Sequence, residues 1–283
     1  MTLDNRIFHQ LRSRPAVIDA ASLLAGAILP LAFAPFGIFP VALISPLLLF
    51  ACWQWSTPRR AFWRGWLYGA GAFGAGVFWI HESFQFNNIG LAVAIPLTAL
   101  FVVYLALFPA LAGYVSRRLG VVPESARLLL IFPALWVLAE WLRGWLFPGF
   151  SWLQLGYSQI DSPLAGYLPL AGVYGVSWLV AFLAALILHA VGGSRRVRAA
   201  AVGAVAAVLL TGGLLRGVTW SDSDGAEIRV ALVQGNIPQD QKWLPSMRQP
   251  TLDRYLTLSR RHWDADLVVW PESAVPGIFH RMR

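Results

Sequence analysis

The sequence predicts an α-helical polytopic membrane bundle of about seven spans, followed by the start of an α/β domain. Three observations predict it. Hydrophobic residues make up 57% of the 283-residue chain and charged residues only 13%, against roughly 45–50% and about 25% in soluble domains. Arginines recur in short clusters between every second pair of apolar stretches. After Leu215 the pattern changes, and short β-branched runs alternate with a helical period. The apolar surplus, with a mean hydropathy of +0.59, is too large for a buried core alone, so lipid must solvate much of the surface.

A span needs about 20 apolar residues, range roughly 17–25. Seven stretches qualify: 17–34, 38–55, 62–84, 91–115, 128–145, 168–191 and 197–215. Pro35 and Pro40 separate the first two, which are short. Gly69, Gly71, Gly74 and Gly76 in the third permit close helix contact, as small residues do in bilayers. The first stretch resembles a signal peptide, but Pro35 would follow the cleavage point and another apolar run comes at once. It reads as an uncleaved helix.

The arginines set the orientation. Arg6, Arg12 and Arg14 precede the first span; Arg59, Arg60 and Arg64 follow the second. Arg117, Arg118 and Arg127 follow the fourth; Arg195, Arg196 and Arg198 follow the sixth. The connections around 36, 85–88 and 149–163 carry no Lys or Arg, with Arg143 alone at the end of span five. By the positive-inside rule the N-terminus is cytoplasmic, and everything after span seven lies on the far side. The net charge of +8 is spread over these clusters rather than along one stripe, so no nucleic-acid partner is expected.

Three domain segments follow: 1–218 transmembrane, 219–227 a polar, turn-rich linker, and 228–283 an α/β element. Within the last, 228–233 reads as a buried strand. Leu252, Tyr255, Leu256, Ser259 and Trp263 recur at helical spacing, and 267–270 reads as a second strand. Strand, helix and strand imply a parallel βαβ unit. Two strands are few for such a sheet, so the domain reads as unfinished.

Several polar residues need an explanation. Ionisable groups inside a bilayer are costly and functional by default. His81 and Glu82 end span three; Glu140 and Arg143 end span five. Each pair has two readings: a functional site, or solvation at the interface. Glu140 and Arg143 are i,i+3 neighbours and could pair on one helix face. The aromatic, amide-rich 149–159 loop is either an interfacial or re-entrant loop or the wall of a lipid or substrate groove. Cys52 is the only cysteine and lies in an apolar stretch, which predicts an inert buried thiol. The five histidines, including His9, His189, His262 and His280, lack ligand spacing, so no metal is expected. No P-loop or dinucleotide fingerprint implies a cofactor. Glu272 follows the second strand, where groups of open α/β sheets gather. It is either a catalytic carboxylate or an ordinary loop acid, with Ser273 a possible cap.

These residues resemble the bacterial apolipoprotein N-acyltransferase family. The likeness runs through FAPFG (33–37), ALWV (134–137), EWLRG (140–144), GFSWLQLGYSQID (149–161), VALVQGNIPQ (230–239), Lys242-Trp243 and WPES (270–273). It implies a bundle in the bacterial inner membrane carrying a nitrilase-like (CN hydrolase) domain on its periplasmic face. It also implies transfer of an acyl chain from a phospholipid of phosphatidylethanolamine type, through a cysteine thioester, to the α-amine of a diacylglyceryl-cysteine apolipoprotein. A Glu–Lys–Cys triad performs the reaction. Glu272 matches the family's general base, and Trp243 a tryptophan linked to substrate handling, though an interfacial anchor would look the same. The family's lysine and cysteine follow the WPES segment, beyond Arg283, so neither Lys242 nor Cys52 takes those roles. The chain is therefore expected to be an N-terminal portion, inactive alone. Two other readings are a membrane-tethered nitrilase-type amidase and a non-catalytic membrane scaffold or transporter.

Overall fold

The computed structural model describes residues 14–85, 89–147, 149–222 and 224–277. Arg6, Arg12, His9, His280 and most of the 85–88 connection, named above, lie outside them. The chain divides into two compact units between Trp220 and Ser221.

The first unit is helical. It comprises α1 (Pro15–Ala27), α2 (Val41–Trp53), α3 (Pro58–Gly76), α4 (Ile80–Gln85), α5 (Leu91–Arg118), α6 (Glu124–Arg143), α7 (Leu168–Val191) and α8 (Arg195–Leu215). Local chemistry starts them. Thr57 Oγ1 accepts from Arg60 N at the head of α3, with Pro58 at the first helical position, and Ser194 Oγ accepts from Val197 N ahead of α8. Among the described residues five stretches are long and apolar enough to cross a membrane: Pro15–Ala32, Leu91–Arg118, Glu124–Arg143, Pro163–Val191 and Arg195–Leu215. At 13 residues α2 is shorter, about 20 Å at 1.5 Å per residue. Span three divides: α3 stops at Gly76, and His81 and Glu82 sit on the separate short helix α4, which buries no residue. The first span also divides, into α1 and a 3-10 turn, Leu29–Ala32, whose Pro30 lacks an N–H.

Small residues bring the helices together. A Cβ at Gly69 would meet Ala106 of α5, and one at Gly71 would meet the Leu23 carbonyl of α1. Gly74 is the exception among the four glycines singled out, with open space around it. Gly172 has a φ of 62°, and there α7 bends. The core is aromatic. Phe50, Trp53, Tyr68, Phe132 and Trp136 are buried and in ring contact. Their polar tips are used: Trp53 Nε1 donates to Ala61 O (3.0 Å), and Tyr68 Oη lies 2.6 Å from Ser45 Oγ.

Two basic turns share one end of the unit. Arg117 Nε donates to Ser56 O (2.9 Å), joining the α5–α6 turn to the α2–α3 turn. These arginines do more than mark an end. Arg64 is buried and reaches Asp19 (3.2 Å), Cys52 O (2.7 Å) and Ser56 Oγ (2.6 Å). Arg127, buried at the π-helical turn Arg127–Ile131, donates to the carbonyls of Ser116, Leu119 and Gly120. It thereby satisfies orphan acceptors at the end of α5. Cys52 is buried and free.

The second unit holds β1 (Val230–Leu232), α9 (Arg248–Arg260) and β2 (Leu267–Val269). The strands are parallel, with Val230 opposite Leu267, Ala231 opposite Val268 and Leu232 opposite Val269. The expected βαβ order is there. The strands are not buried on both faces, however: Val230, Leu232, Leu267 and Val269 are exposed. The helix meets the expectation in part. Tyr255 and Ser259 face inward as expected, with Thr251 beside them, while Leu256 and Trp263 are exposed. Trp263 lies past the end of α9, so the helical spacing that seemed to include it has already stopped.

Candidate functional site

Chemistry-bearing residues gather in two places, one in each unit. In the second unit, Val233, Tyr255 and Ala274 form a small core with Val268 and Trp270 packed on it. Trp270 Nε1 donates to Ser259 Oγ (2.8 Å), and its ring stacks near Tyr255 at 5.2 Å. A side chain at Gly235 would strike the Tyr255 ring, so the turn after β1 runs against the helix. This packing anchors the chain through Trp270 and Ala274, and Glu272 stands exposed between them. Ser273 has a φ of 57° and begins no helix among the described residues. Lys242 Nζ donates to the backbone carbonyl of Glu272 (3.3 Å). Trp243, next in sequence, is 60% exposed. Glu272, Lys242 and Trp243 thus share one end of the βαβ unit. The chain's only cysteine belongs to the other unit. Among the described residues no group of His, Cys, Asp and Glu could hold a metal ion.

In the helical unit the site surrounds Glu140 and Arg143. Both are buried, at 4% and 3% exposure. A close Glu140–Arg143 ion pair, which their i,i+3 spacing would allow, is not among the ion pairs of the described residues. Each side chain instead reaches the 149–159 loop. Glu140 Oε1 accepts from Trp136 Nε1 (2.9 Å) and from Leu155 N (2.9 Å). Arg143 Nη1 donates to Phe150 O (2.6 Å) and Trp152 O (2.5 Å), and its guanidinium lies 5.1 Å from the centre of the Phe73 ring. The Arg143 carbonyl also accepts from Phe150 N (2.7 Å). Glu140 Oε2 is buried and has no partner within hydrogen-bond distance among the described residues. Both residues line a cavity of about 30 Å³, which has room for a water molecule.

The loop is not a simple interfacial strip. Gln154, Leu155 and Gln159 are essentially fully buried, and Ser158 nearly so. Gln154 Nε2 donates to Tyr174 Oη (3.2 Å) and Gln159 Nε2 to Ser158 Oγ (2.8 Å), so these amides are satisfied inside the protein. Gly156 N donates to Ser177 Oγ (2.8 Å). Trp152 and Tyr157 stay exposed, and Trp152 meets Trp79 at 5.5 Å. Leu153 has a φ of 60°, a conformation that costs a non-glycine residue about 1–3 kcal/mol and needs firm surroundings. Sequence reasoning marked Glu140 and Arg143 as unusual but not their partners. It read Arg64 and Arg127 as orientation signals only.

Comparison with known proteins supplies an independent reading. The model of the apolipoprotein N-acyltransferase N-terminal domain matches residues 25–186. An apolipoprotein N-acyltransferase of Methylococcus capsulatus is 47% identical over 262 residues, which are 92% of this chain and 52% of the relative. One from Coxiella burnetii is 46% identical over 260 residues (90% and 53%). One from Vibrio vulnificus is 41% identical over 278 residues (97% and 53%). The chain spans about half the length of these curated relatives. Their names favour neither the amidase nor the scaffold reading.

Proposed function

This chain belongs to the apolipoprotein N-acyltransferase family, and on that premise we propose that it serves the N-acylation of lipoproteins at the bacterial inner membrane. In the proposed reaction a cysteine thiolate attacks an ester of a phospholipid of phosphatidylethanolamine type. The thioester forms and the lysophospholipid leaves as an alcohol. The α-amine of a diacylglyceryl-cysteine apolipoprotein then attacks the thioester, forming an amide and restoring the thiol. A carboxylate must take the thiol proton in the first half and the amine proton in the second. Glu272 is the residue we assign to that work, within a nitrilase-like domain at 228–283.

The observation that carries the reading is the match of a relative over 92% of this chain, extending past the helical unit into the βαβ unit. Support for Glu272 comes from its position just after β2, at the carboxyl end of a parallel pair. Lys242 binds the Glu272 backbone rather than its carboxylate, and Cys52 is buried among helices. Neither is given the role of oxyanion stabiliser or nucleophile. Trp243, exposed on the same end, is assigned to substrate handling.

The membrane arrangement we propose has seven crossings, with α2 and α3 counted beside the five longer stretches, segment 1–218 in the bilayer and 219–227 as linker. The N-terminus is cytoplasmic and the βαβ unit periplasmic, because the arginine clusters at 59–64, 117–127 and 195–198 then share the cytoplasmic side.

The test is acylation of a diacylglyceryl-cysteine peptide in membranes carrying the gene product, with phosphatidylethanolamine as donor and the peptide mass as readout. In a gene product that acylates the peptide, Glu272→Gln should lower the rate by about 100-fold or more. An unchanged rate would remove Glu272 from the mechanism. Release of ammonia from a soluble amide, with no peptide acylation, would favour the amidase.

A further inference from the structure

The 149–159 loop leaves the end of α6 by turning back on it. Phe150 N donates to Arg143 O (2.7 Å), and a Cβ at Gly149, φ 102°, would strike the Gly144 carbonyl. Beyond this turn the chain passes through Leu153 at a φ of 60° and then enters a 3-10 turn, Leu155–Gln159. Nothing in the loop's own backbone explains why Leu153 stays there. The flanking contacts do. On one side Arg143 Nη1 holds the carbonyls of Phe150 and Trp152. On the other, Glu140 Oε1 holds Leu155 N. The two side chains lie one turn apart on α6 and grip the backbone on both sides of the strained residue. Both are more than nine-tenths buried, so solvent does not compete for these bonds.

We propose that Glu140 and Arg143 are positioning residues, which hold the 149–159 loop in one conformation by gripping its backbone on either side of Leu153. Glu140 acts through Oε1 as an acceptor shared by Trp136 and Leu155, without a close ion pair to Arg143 among the described residues. The consequence reaches the surface. Trp152 and Tyr157 are the exposed aromatic side chains of this loop, and Trp152 lies against Trp79. Fixing the backbone at 150, 152 and 155 therefore fixes the aromatic face that the loop presents toward lipid. That last step rests on the proposed membrane arrangement; the grip itself does not.

The test reads the loop directly. Cys52 is the only cysteine, so a Cys52→Ala chain in lipid vesicles accepts single reporters. Ser158→Cys reports on the loop, and Ser116→Cys, at the opposite end of α5, reports on the bundle; both serines are buried. The rate of alkylation by a membrane-permeant maleimide is measured with each. Glu140→Ala should speed labelling at position 158 by at least about tenfold and leave position 116 unchanged. Arg143→Ala should do the same. Glu140→Gln keeps an acceptor oxygen and should restore the rate to within about threefold of the parent. Equal acceleration at 158 and 116 would mean general unfolding and overturn the proposal. No acceleration at 158 would overturn it as well, and so would Glu140→Gln behaving like Glu140→Ala, which would assign the role to charge. None of these rates depends on acyl transfer, so the grip can stand or fall apart from the function.

Discussion

The two units expose large apolar side chains in opposite circumstances. In the helical unit Leu100, Val202, Leu210 and Leu214 are each at least 64% exposed, on helices long enough to cross a bilayer. Its polar side chains point inward: Arg64, Arg127, Glu140, Arg143, Gln154 and Gln159 are buried and bonded. In the βαβ unit Val230, Leu232, Leu267 and Val269 are exposed on one face of a two-stranded sheet. Its one ion pair among the described residues, Arg229–Asp264, is about 70% exposed on both sides. The first pattern suits lipid, where backbone and polar groups must be satisfied within the protein. The second has three buried residues at its heart and unpaired strand edges, a liability in water.

The largest expected effect follows from this contrast. Amide exchange in lipid vesicles should be about a thousandfold faster in β1 and α9 than in the middle of α3 and α5, because local opening follows buried contact. Equal protection in both units would break the comparison. Next comes the buried arginine. Arg127→Ala strands the carbonyl of buried Ser116, at about 1–3 kcal/mol for a buried group left without a partner, and frees those of exposed Leu119 and Gly120. A thermal unfolding shift measured in detergent should show a loss of about 1–3 kcal/mol; a neutral result would return Arg127 to a purely topological role. Glycine contacts give a sharper internal pair. Gly69→Leu drives a side chain into α5 and should cost about 1–3 kcal/mol, whereas Gly74→Leu enters open space and should change little. The smallest effect belongs to the second unit: Arg229→Ala removes a solvent-exposed ion pair and should shift stability by less than about 0.5 kcal/mol.

Particular elements show how far residue order alone could lead. The strand–helix–strand order after Leu215 was readable, because β-branched runs and a helical period are local signals. Which face of α9 turns inward was readable only in part. The period grouped Leu252, Tyr255, Leu256, Ser259 and Trp263; Tyr255 and Ser259 are buried as it implied, but Thr251 joins them, and Leu256 and Trp263 are exposed. Tyr255 packs on Gly235 and Trp270, residues 15 or more positions away. Span three was read as one helix to residue 84, yet α3 ends at Gly76. Its apolar composition continues past the point where the backbone turns, at Val77 with a φ of −131°. The place of Glu272 just after the second strand was legible in the sequence. The hold of Lys242 on the Glu272 carbonyl was not, since it joins segments 30 residues apart.

The sequence by itself determined that lipid is the surrounding solvent, that the arginine clusters alternate, and that a parallel βαβ unit follows the helices. Each of those depends on composition or on a period of a few residues. Only the tertiary structure decided what Glu140 and Arg143 do. Adjacent on one helix face, they could have paired with each other. They turn instead to Leu155, Phe150 and Trp152, because a loop folded into an apolar interior must find partners for its backbone there, and water cannot supply them.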